Sequence, residues 1–148
     1  MDVRIYQTHD KRAYASLLLL ADESWDMIER YLERGVMYVL DDDGVKAEIV
    51  VCDEGCGVLE IKNLVVLPQC QRHGYGRALV EFVRARYAGE YRVLTVGTGD
   101  SPLTVPFYER CGFHRSHRVK DFFIENYDHP IYEGGVRLTD MVYLAQDI

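Results

Sequence analysis

The chain has 148 residues, of which 48% are hydrophobic and 28% charged, and its formal net charge at pH 7 is −7. This length and composition predict a single globular domain over residues 1–148. The acidic balance argues against nucleic acid as a partner, because nucleic-acid binding depends on clustered Lys and Arg. The longest apolar run, 17–21, is too short to span a bilayer and no secretory signal opens the chain, so we expect a cytoplasmic protein without membrane association.

The four cysteines do not indicate a metal site. They form no CxxC pair, and no Cys/His cluster has the spacing of zinc ligands. We therefore expect no metal, and reduced thiols that pack as small hydrophobic groups.

The chain begins with a predicted strand followed by two predicted helices. The strand covers 3–7, and an apolar-rich helix covers about 11–21. The second helix is predicted over 25–34, with Ser24 as its N-cap and Gly35 as its stop. Two β-rich runs follow and are joined by an Asp-Gly turn, which predicts a hairpin over residues 36–52.

The next stretch, 57–87, is the most informative part of the sequence. It predicts a strand from Leu59 to Leu67 that is closed by Pro68, then a loop over 71–76 with two glycines. An amphipathic helix follows and ends before Gly89.

The loop in this stretch has the properties of an anion site. Gly74 and Gly76 let the backbone approach a ligand closely, and the helix start offers free N–H groups with a partial positive charge. Arg72 and Arg77 add full charges, so a pyrophosphate would fit here. Neither the Walker loop nor the dinucleotide fingerprint is present. The alternative is an ordinary turn in which the glycines only relieve strain.

The second half predicts one more strand–helix–strand unit and a final strand. Because strands outnumber helices and only one strand–helix–strand unit lies at the centre, we predict an α/β (mixed α+β) fold, with a mixed sheet flanked by helices. The predicted elements are strands over 91–96, 113–121 and 140–146, a short helix over 101–110 with Pro102 near its first turn, and an irregular segment over 122–135.

Two motifs resemble those of the GNAT N-acetyltransferase superfamily. Q-x-x-G-x-G, from Gln71 to Gly76 after the long strand, resembles the coenzyme A pyrophosphate loop of the family. F-Y-x-x-x-G-F, from Phe107 to Phe113, resembles the end of the short helix that an Asn or Ser opens, here Ser101. Their order and separation match the family over about 36–144.

Three short stretches, at 60–63, 97–101 and 128–133, further resemble a bacterial branch, the YvbK-like acetyltransferases. Ser101 and Thr104 depart from the broad pattern, which more often has Asn and Ala there. The resemblance implies the GNAT fold, a central mixed and mostly antiparallel sheet of six to seven strands with about four helices. It also implies acetyl transfer from acetyl-CoA to a primary amine by direct attack in a ternary complex.

The resemblance also implies which residues hold the coenzyme. In the family the pantetheine arm pairs with the central strand like an added strand, and a backbone N–H there holds the oxyanion. At the position of Ser101 the family more often has Asn, but the serine hydroxyl can still form a hydrogen bond to the pantetheine arm. The residues implied are Gln71, Arg72, His73, Gly74, Tyr75, Gly76 and Arg77 for the pyrophosphate, Leu64, Val65, Val66 and Leu67 for the strand edge, and Ser101 and Tyr108 for the arm and thiol.

Two residues are candidates for proton transfer. The motif implies that Tyr108 is the general acid for the coenzyme A thiolate; the alternative is an aromatic packing residue. Glu60, eleven residues before Gln71, has the spacing of the family's catalytic glutamate and is the candidate base, directly or through water. Strand alternation predicts that it shares a face with Leu64. The alternative is that Glu60 only pairs with Lys62.

The amine acceptor is expected to meet the acidic segment 121–133, which contains four acidic residues and no Lys or Arg. This negative charge suits a cationic amine; the alternative is an ordinary solvated loop. A small-molecule or peptide amine is the expected partner of a monomer or homodimer. A coenzyme A-binding sensor without catalysis and a plain interaction domain are the alternatives from other classes. The candidate acceptor residues are Asp121, Glu125, His129, Tyr132 and Glu133.

Overall fold

The computed structural model describes residues 3–148, whose backbone builds one seven-stranded sheet with helices on both faces. The strands of this sheet are β1 (Arg4–Thr8), β2 (Val36–Asp41), β3 (Val45–Gly55), β4 (Val58–Val66), β5 (Val93–Gly99), β6 (His114–Val119) and β9 (Met141–Asp147), and a separate two-stranded hairpin consists of β7 (Tyr132–Glu133) and β8 (Val136–Arg137). The helices in the described residues are α1 (Ala15–Ala21), α2 (Trp25–Glu29), α3 (Tyr75–Tyr87), α4 (Val105–Arg110) and α5 (Phe122–Asn126), with 3-10 turns at Lys11–Tyr14 and Pro68–Cys70.

The strand order is β1-β2-β3-β4-β5-β9-β6, and every neighbouring pair is antiparallel except β4 with β5. The predicted mixed, mostly antiparallel sheet with flanking helices is therefore confirmed. The parallel pair arises because α3 carries the chain from the end of β4 back to the start of β5.

Two hydrophobic clusters cover the two faces of the sheet. On one face, the apolar side of α3, with Leu79, Val80 and Val83, packs against Ile49 and other residues of β3, β4 and β5. On the other face, Leu18 of α1 and Ile28 of α2 pack against β2 and β3. We refer to these as the α3 face and the α1 face of the sheet.

Short sequence patterns correctly predicted where α2 begins and where β2 turns into β3. The Ser24 side chain accepts a hydrogen bond from the Met27 amide (3.3 Å), which confirms it as the N-cap of α2. The predicted hairpin of β2 and β3 is confirmed, and its turn is closed by the Asp41 carboxylate, which accepts from the Gly44 amide (3.0 Å). No helix among residues 3–148 has the length and apolar character needed to cross a bilayer.

Two predictions about the second half were wrong. The segment 122–135 is not irregular, since it contains α5 and the first strand of the small hairpin. The helix predicted from residue 101 begins only at Val105, and Pro106, not Pro102, occupies its first turn. The Ser101 hydroxyl instead accepts from the Leu103 amide (3.0 Å) and closes a tight turn before the helix.

β4 contains a bulge that changes the face its side chains occupy. Val50 of β3 pairs with Asn63, but the next residue, Val51, pairs with Ile61, so Lys62 is the extra residue. Ile61 therefore belongs to the cluster on the α3 face, and so does Leu64, although they are an odd number of residues apart.

Candidate active site

The sheet opens beside the second half of β4. β4 and β5 pair only from Val58 to Ile61 and from Val93 to Val96, although β4 continues to Val66 and β5 to Gly99. Beyond the bulge one edge of β4 therefore has no strand beside it. An extended ligand could add itself there as a strand does.

The predicted strand edge splits into two kinds of residue. The Leu67 amide donates to the Lys46 carbonyl of the β2–β3 turn (2.9 Å), so it is committed to the neighbouring strand. Because hydrogen-bonded pairs alternate along an antiparallel ladder, Val65 bonds to β3 as well, and Leu64 and Val66 direct their N–H and C=O groups to the opening. Only those two of the four predicted residues can offer main-chain groups to a ligand in the opening.

The glycine loop brings the start of α3 to the same opening. Gly74 is the N-cap and has a left-handed backbone (φ 79°), which leaves the first N–H groups of the 13-residue helix open. Gly76 lies against Val66 of β4 and the ring of Phe107 in α4. Arg72 and Arg77 are exposed, and no carboxylate in the described residues lies within ion-pair distance of either. The loop is thus a cationic site beside the β4 edge.

The other loop residues hold the loop in shape. The His73 ring is bonded through Nδ1 to the Cys70 carbonyl (2.8 Å) and stacks on Tyr75, with 5.6 Å between ring centroids. The Tyr75 hydroxyl donates to the Asp42 carboxylate, which raises the pKa of Tyr75 to about 12. Gln71 is exposed at the beginning of the loop.

Ser101 follows the end of β5, and Tyr108 lies on α4, the helix whose Phe107 contacts Gly76 at the start of α3. Tyr108 is buried between the rings of Phe107 and Phe113, at centroid distances of 5.1 and 5.7 Å. Burial raises the pKa of Tyr108, and the nearby Cys111 thiol adds to that shift, so its phenol stays protonated. Ser101 is buried, and the bond that it accepts from Leu103 leaves its own hydroxyl hydrogen for another acceptor.

Glu60 is placed differently from the prediction. Its neighbours in β4, Leu59 and Ile61, both face α3, so Glu60 lies on the α1 face, opposite Leu64. The predicted common face is wrong because the bulge shifts the alternation. The Glu60 carboxylate forms an ion pair with Lys62 (2.9 Å). Burial raises the pKa of Glu60, while Lys62 opposes that shift.

The candidate acceptor residues do not form one group. Asp121 is the N-cap of α5, with a left-handed backbone (φ 57°), and Glu125 lies exposed on that helix. Tyr132 is 65% exposed. No hydrogen bond or ion pair in the described residues joins the side chains of these three residues.

The other two acceptor candidates make specific contacts. His129 is bonded to Asp128 (2.6 Å) and to Glu23 of the α1–α2 turn, and both carboxylates raise its pKa. Glu133 turns one carboxylate oxygen, Oε1, inward, where it is buried without a hydrogen-bond partner in the described residues. The next residue, Gly134, lies against Leu103 just before α4, so Glu133 is the acceptor candidate that a contact connects to the α4 region.

Two polar residues of this region were not singled out from the sequence. Glu48 of β3 is fully buried on the α1 face, and neither carboxylate oxygen has a hydrogen-bond partner in the described residues. Asn63, just after the bulge, donates to the Leu18 carbonyl (3.2 Å) and the Tyr31 hydroxyl (3.0 Å), while its own Oδ1 is unpartnered. No local sequence signal identifies Glu48, because a single acidic residue in an apolar strand ordinarily faces solvent.

Comparison with known proteins gives consistent matches. Residues 33–115 match the model of the acetyltransferase (GNAT) domain family. The chain is 35% identical over 136 residues to the uncharacterised N-acetyltransferase YvbK of Bacillus subtilis strain 168, covering 89% of this chain and 87% of that protein.

Solved structures match over nearly the whole chain. An IAA acetyltransferase from Bacillus cereus superimposes with a TM-score of 0.93 at 32% identity, covering 99% of this chain and 100% of its own. A GNAT family acetyltransferase from Elizabethkingia anophelis with acetyl-CoA bound has a TM-score of 0.92 at 31% identity, over 99% and 98%. A Bacillus subtilis acetyltransferase in complex with CoA has a TM-score of 0.90 at 32% identity, over 99% of each chain. With a family match over more than half its length and relatives above 30% identity, this chain belongs to the GNAT acetyltransferase family.

Proposed function

We propose that this protein is an N-acetyltransferase that moves an acetyl group from acetyl-CoA to a primary amine by direct attack in a ternary complex. The carrying observation is that three features meet at one opening: the unpaired edge of β4, the α3 N-terminus at Gly74, and Tyr108. Relatives at 31% and 32% identity hold acetyl-CoA and CoA, which supports the choice of donor.

The loop fits the pyrophosphate of the donor. The open N–H groups that follow Gly74 and the partial positive charge of α3 favour an anion, and Arg72 and Arg77 have no internal carboxylate to release first. His73 and Tyr75 act by holding the loop, since their polar atoms are bound to Cys70 and Asp42.

The edge of β4 fits the pantetheine arm. Leu64 and Val66 offer main-chain N–H and C=O groups, with which an extended amide chain pairs as an added strand. A backbone N–H at this edge also stabilises the oxyanion that forms when the thioester carbonyl is attacked. Ser101 supplies its hydroxyl hydrogen from the far side of the opening.

Tyr108 is the proposed general acid. When the C–N bond forms and the C–S bond breaks, the leaving thiolate must take up a proton. The Tyr108 phenol holds its proton because burial raises its pKa, and after the transfer it regains a proton released by the new amide nitrogen.

A base must convert the acceptor's ammonium into a free amine. Glu60, the candidate from the sequence, is held by Lys62, and a water molecule would have to carry the proton to it. The acceptor is a small-molecule or peptide amine that enters beside the segment 121–133, where Glu133 adjoins the contact of Gly134 with Leu103 and His129 is bonded to Glu23 at the surface.

Calorimetric titration with acetyl-CoA tests the proposal. We expect micromolar binding by the unaltered protein, and weaker binding by roughly 10- to 100-fold in the Arg72→Ala, Arg77→Ala double variant, because each arginine contributes a charge-assisted bond to phosphate. The matched control is Arg86→Ala with Arg92→Ala, which removes the same charge at and beyond the opposite end of α3. Absence of acetyl-CoA binding by the unaltered protein would overturn the function and all residue roles with it.

A further inference from the structure

Glu48 lies in surroundings that a structural carboxylate does not have. It is 0% exposed, and both carboxylate oxygens lack a hydrogen-bond partner in the described residues. Burying a carboxylate without partners is costly, so such groups in native proteins call for an explanation. Burial also raises the pKa of Glu48 well above its ordinary value.

The unpartnered buried polar atoms of this region are all acceptors. They are both oxygens of Glu48, Oε1 of Glu133 and Oδ1 of Asn63; the remaining unpartnered buried atom, Nε of Arg84, lies in the last turns of α3. Asn63 follows the bulge in β4, and Glu48 pairs with Val65 two residues further along. A region that presents acceptors without donors is complementary to a ligand that brings several N–H donors and positive charge.

Glu48 also has the right position relative to Tyr108. Its neighbours in β3, Ala47 and Ile49, both belong to the cluster on the α3 face, so Glu48 points to the α1 face. Its partner Val65 lies between the two residues that face the opening. Tyr108 belongs to the cluster on the α3 face. The two side chains therefore approach the opening from opposite faces of the sheet.

We infer that Glu48 binds the acceptor's ammonium group and takes its proton, with Glu133 as a second carboxylate around the same amine, so that the acceptor is a cationic aliphatic amine. This inference rests on the proposed acetyl transfer and names the acceptor class of that same site. The amine arrives from the α1 face, while Tyr108 protonates the leaving sulfur from the α3 face.

The proton balance of the reaction closes with these two residues. One ammonium proton passes to the Glu48 carboxylate and later to solvent. The neutral nitrogen attacks the thioester carbon, the C–N bond forms, and the C–S bond breaks. Tyr108 gives its proton to the thiolate and regains one from the nitrogen, so the net products are the acetylated amine, the free thiol and one proton.

The first test compares the kinetics of three single variants. With n-butylamine and 1,4-diaminobutane as acceptors, we expect Glu48→Gln to lower kcat/KM by roughly 10²–10⁴-fold with acetyl-CoA affinity unchanged within about twofold. Glu60→Gln is expected to lose less than tenfold. Glu109→Gln is the matched control, because Glu109 lies on α4 next to Tyr108 and is exposed to solvent.

Two further measurements separate catalysis from structure. Methoxyamine, whose amino group is already neutral at pH 7, does not require a base, so we expect Glu48→Gln to retain activity toward it within about threefold. Glu48→Met replaces the unpartnered carboxylate by an apolar chain of similar length, and we expect its Tm to rise by roughly 3 °C or more.

Four results would contradict the inference. It is overturned if Glu48→Gln keeps full activity with n-butylamine, if it loses activity with methoxyamine equally, or if Glu48→Met lowers Tm. It is also overturned if the unaltered protein binds acetyl-CoA yet acetylates neither alkylamine. The coenzyme assignment would then stand, whereas failure to bind acetyl-CoA at all would remove the proposed function itself.

Discussion

Gly76 lies directly against the ring of Phe107, because a Cβ atom at Gly76 would sit 3.2 Å from Phe107 Cζ and 3.5 Å from a methyl group of Val66. The start of α3, the helix that carries Tyr108 and the open edge of β4 thus share one tight contact, where a methyl group would require its neighbours to shift. If α3 binds the donor and Tyr108 protonates the leaving group, as we propose, both steps depend on this contact.

Gly76→Ala is therefore expected to push the Phe107 ring and displace α4. We expect weaker acetyl-CoA binding and at least a tenfold loss of kcat, because small misplacements of catalytic groups are costly. Addition of Phe107→Leu removes the ring atoms that would clash, so the double variant should recover part of the loss. A double-mutant cycle with purely additive effects would contradict the contact.

Tyr108→Phe removes a single oxygen and leaves the ring contacts intact. If the phenol protonates the thiolate, kcat should fall by roughly 10²–10⁴-fold, with the dissociation constant of acetyl-CoA little changed. Steady-state kinetics and calorimetry on the same preparation check both parts. Tyr91→Phe, at the far end of α3, serves as the control, and equal kcat values for both variants would reject the acid role.

Gly74 is expected to tolerate Asn better than Ala. A Cβ at Gly74 would meet no atom within 4 Å, so a substitution costs only what the left-handed backbone (φ +79°) imposes. That cost is about 1–2 kcal/mol for Ala, and smaller for Asn, which visits this region more readily. Urea unfolding should rank Gly74→Asn above Gly74→Ala in stability. The reverse order would show that the glycine backbone is not strained there.

His129 should make stability depend on pH. Its carboxylate neighbours raise its folded-state pKa above the ordinary value of about 6.5, first through Asp128 and then through Glu23. The stabilisation is fully present below that ordinary value and is lost as pH rises through the folded pKa. The free energy of unfolding of the unaltered protein relative to His129→Gln should therefore decrease from pH 5.5 to pH 8.5. His9→Gln is the control, and a difference that is constant with pH would contradict the prediction.

Local sequence signals predicted most of the fold, including the glycine loop at the start of α3. Ser24, the Asp-Gly turn and the glycine loop each act over a few residues, so their patterns specify the structure directly. The bulge at Lys62 has no such local signal, and for that reason the predicted face of Glu60 was wrong. The small hairpin at 132–137 depends on packing against distant chain, as the contact of Gly134 with Leu103 illustrates.

Glu48 escaped prediction for a different reason. Its strand reads Ala-Glu-Ile-Val-Val-Cys from Ala47 to Cys52, and one acidic residue in such a run is ordinarily a residue that faces solvent. Only the topology shows otherwise, because β3 lies inside the sheet with helices on both faces. The burial of Glu48 therefore results from the packing of the helices on the sheet, and no short stretch of sequence indicates it.

The extra residue at Lys62 also determines where this protein can change in length. Elsewhere in a strand, insertion or deletion of one residue turns every later side chain to the wrong face of the sheet. Deletion of Lys62 would instead leave a regular strand, because Ile61 and Asn63 already lie on opposite faces of the sheet, as adjacent residues of a strand do. β4 can therefore lose this one residue while Leu64 and Val66 keep the α3 face.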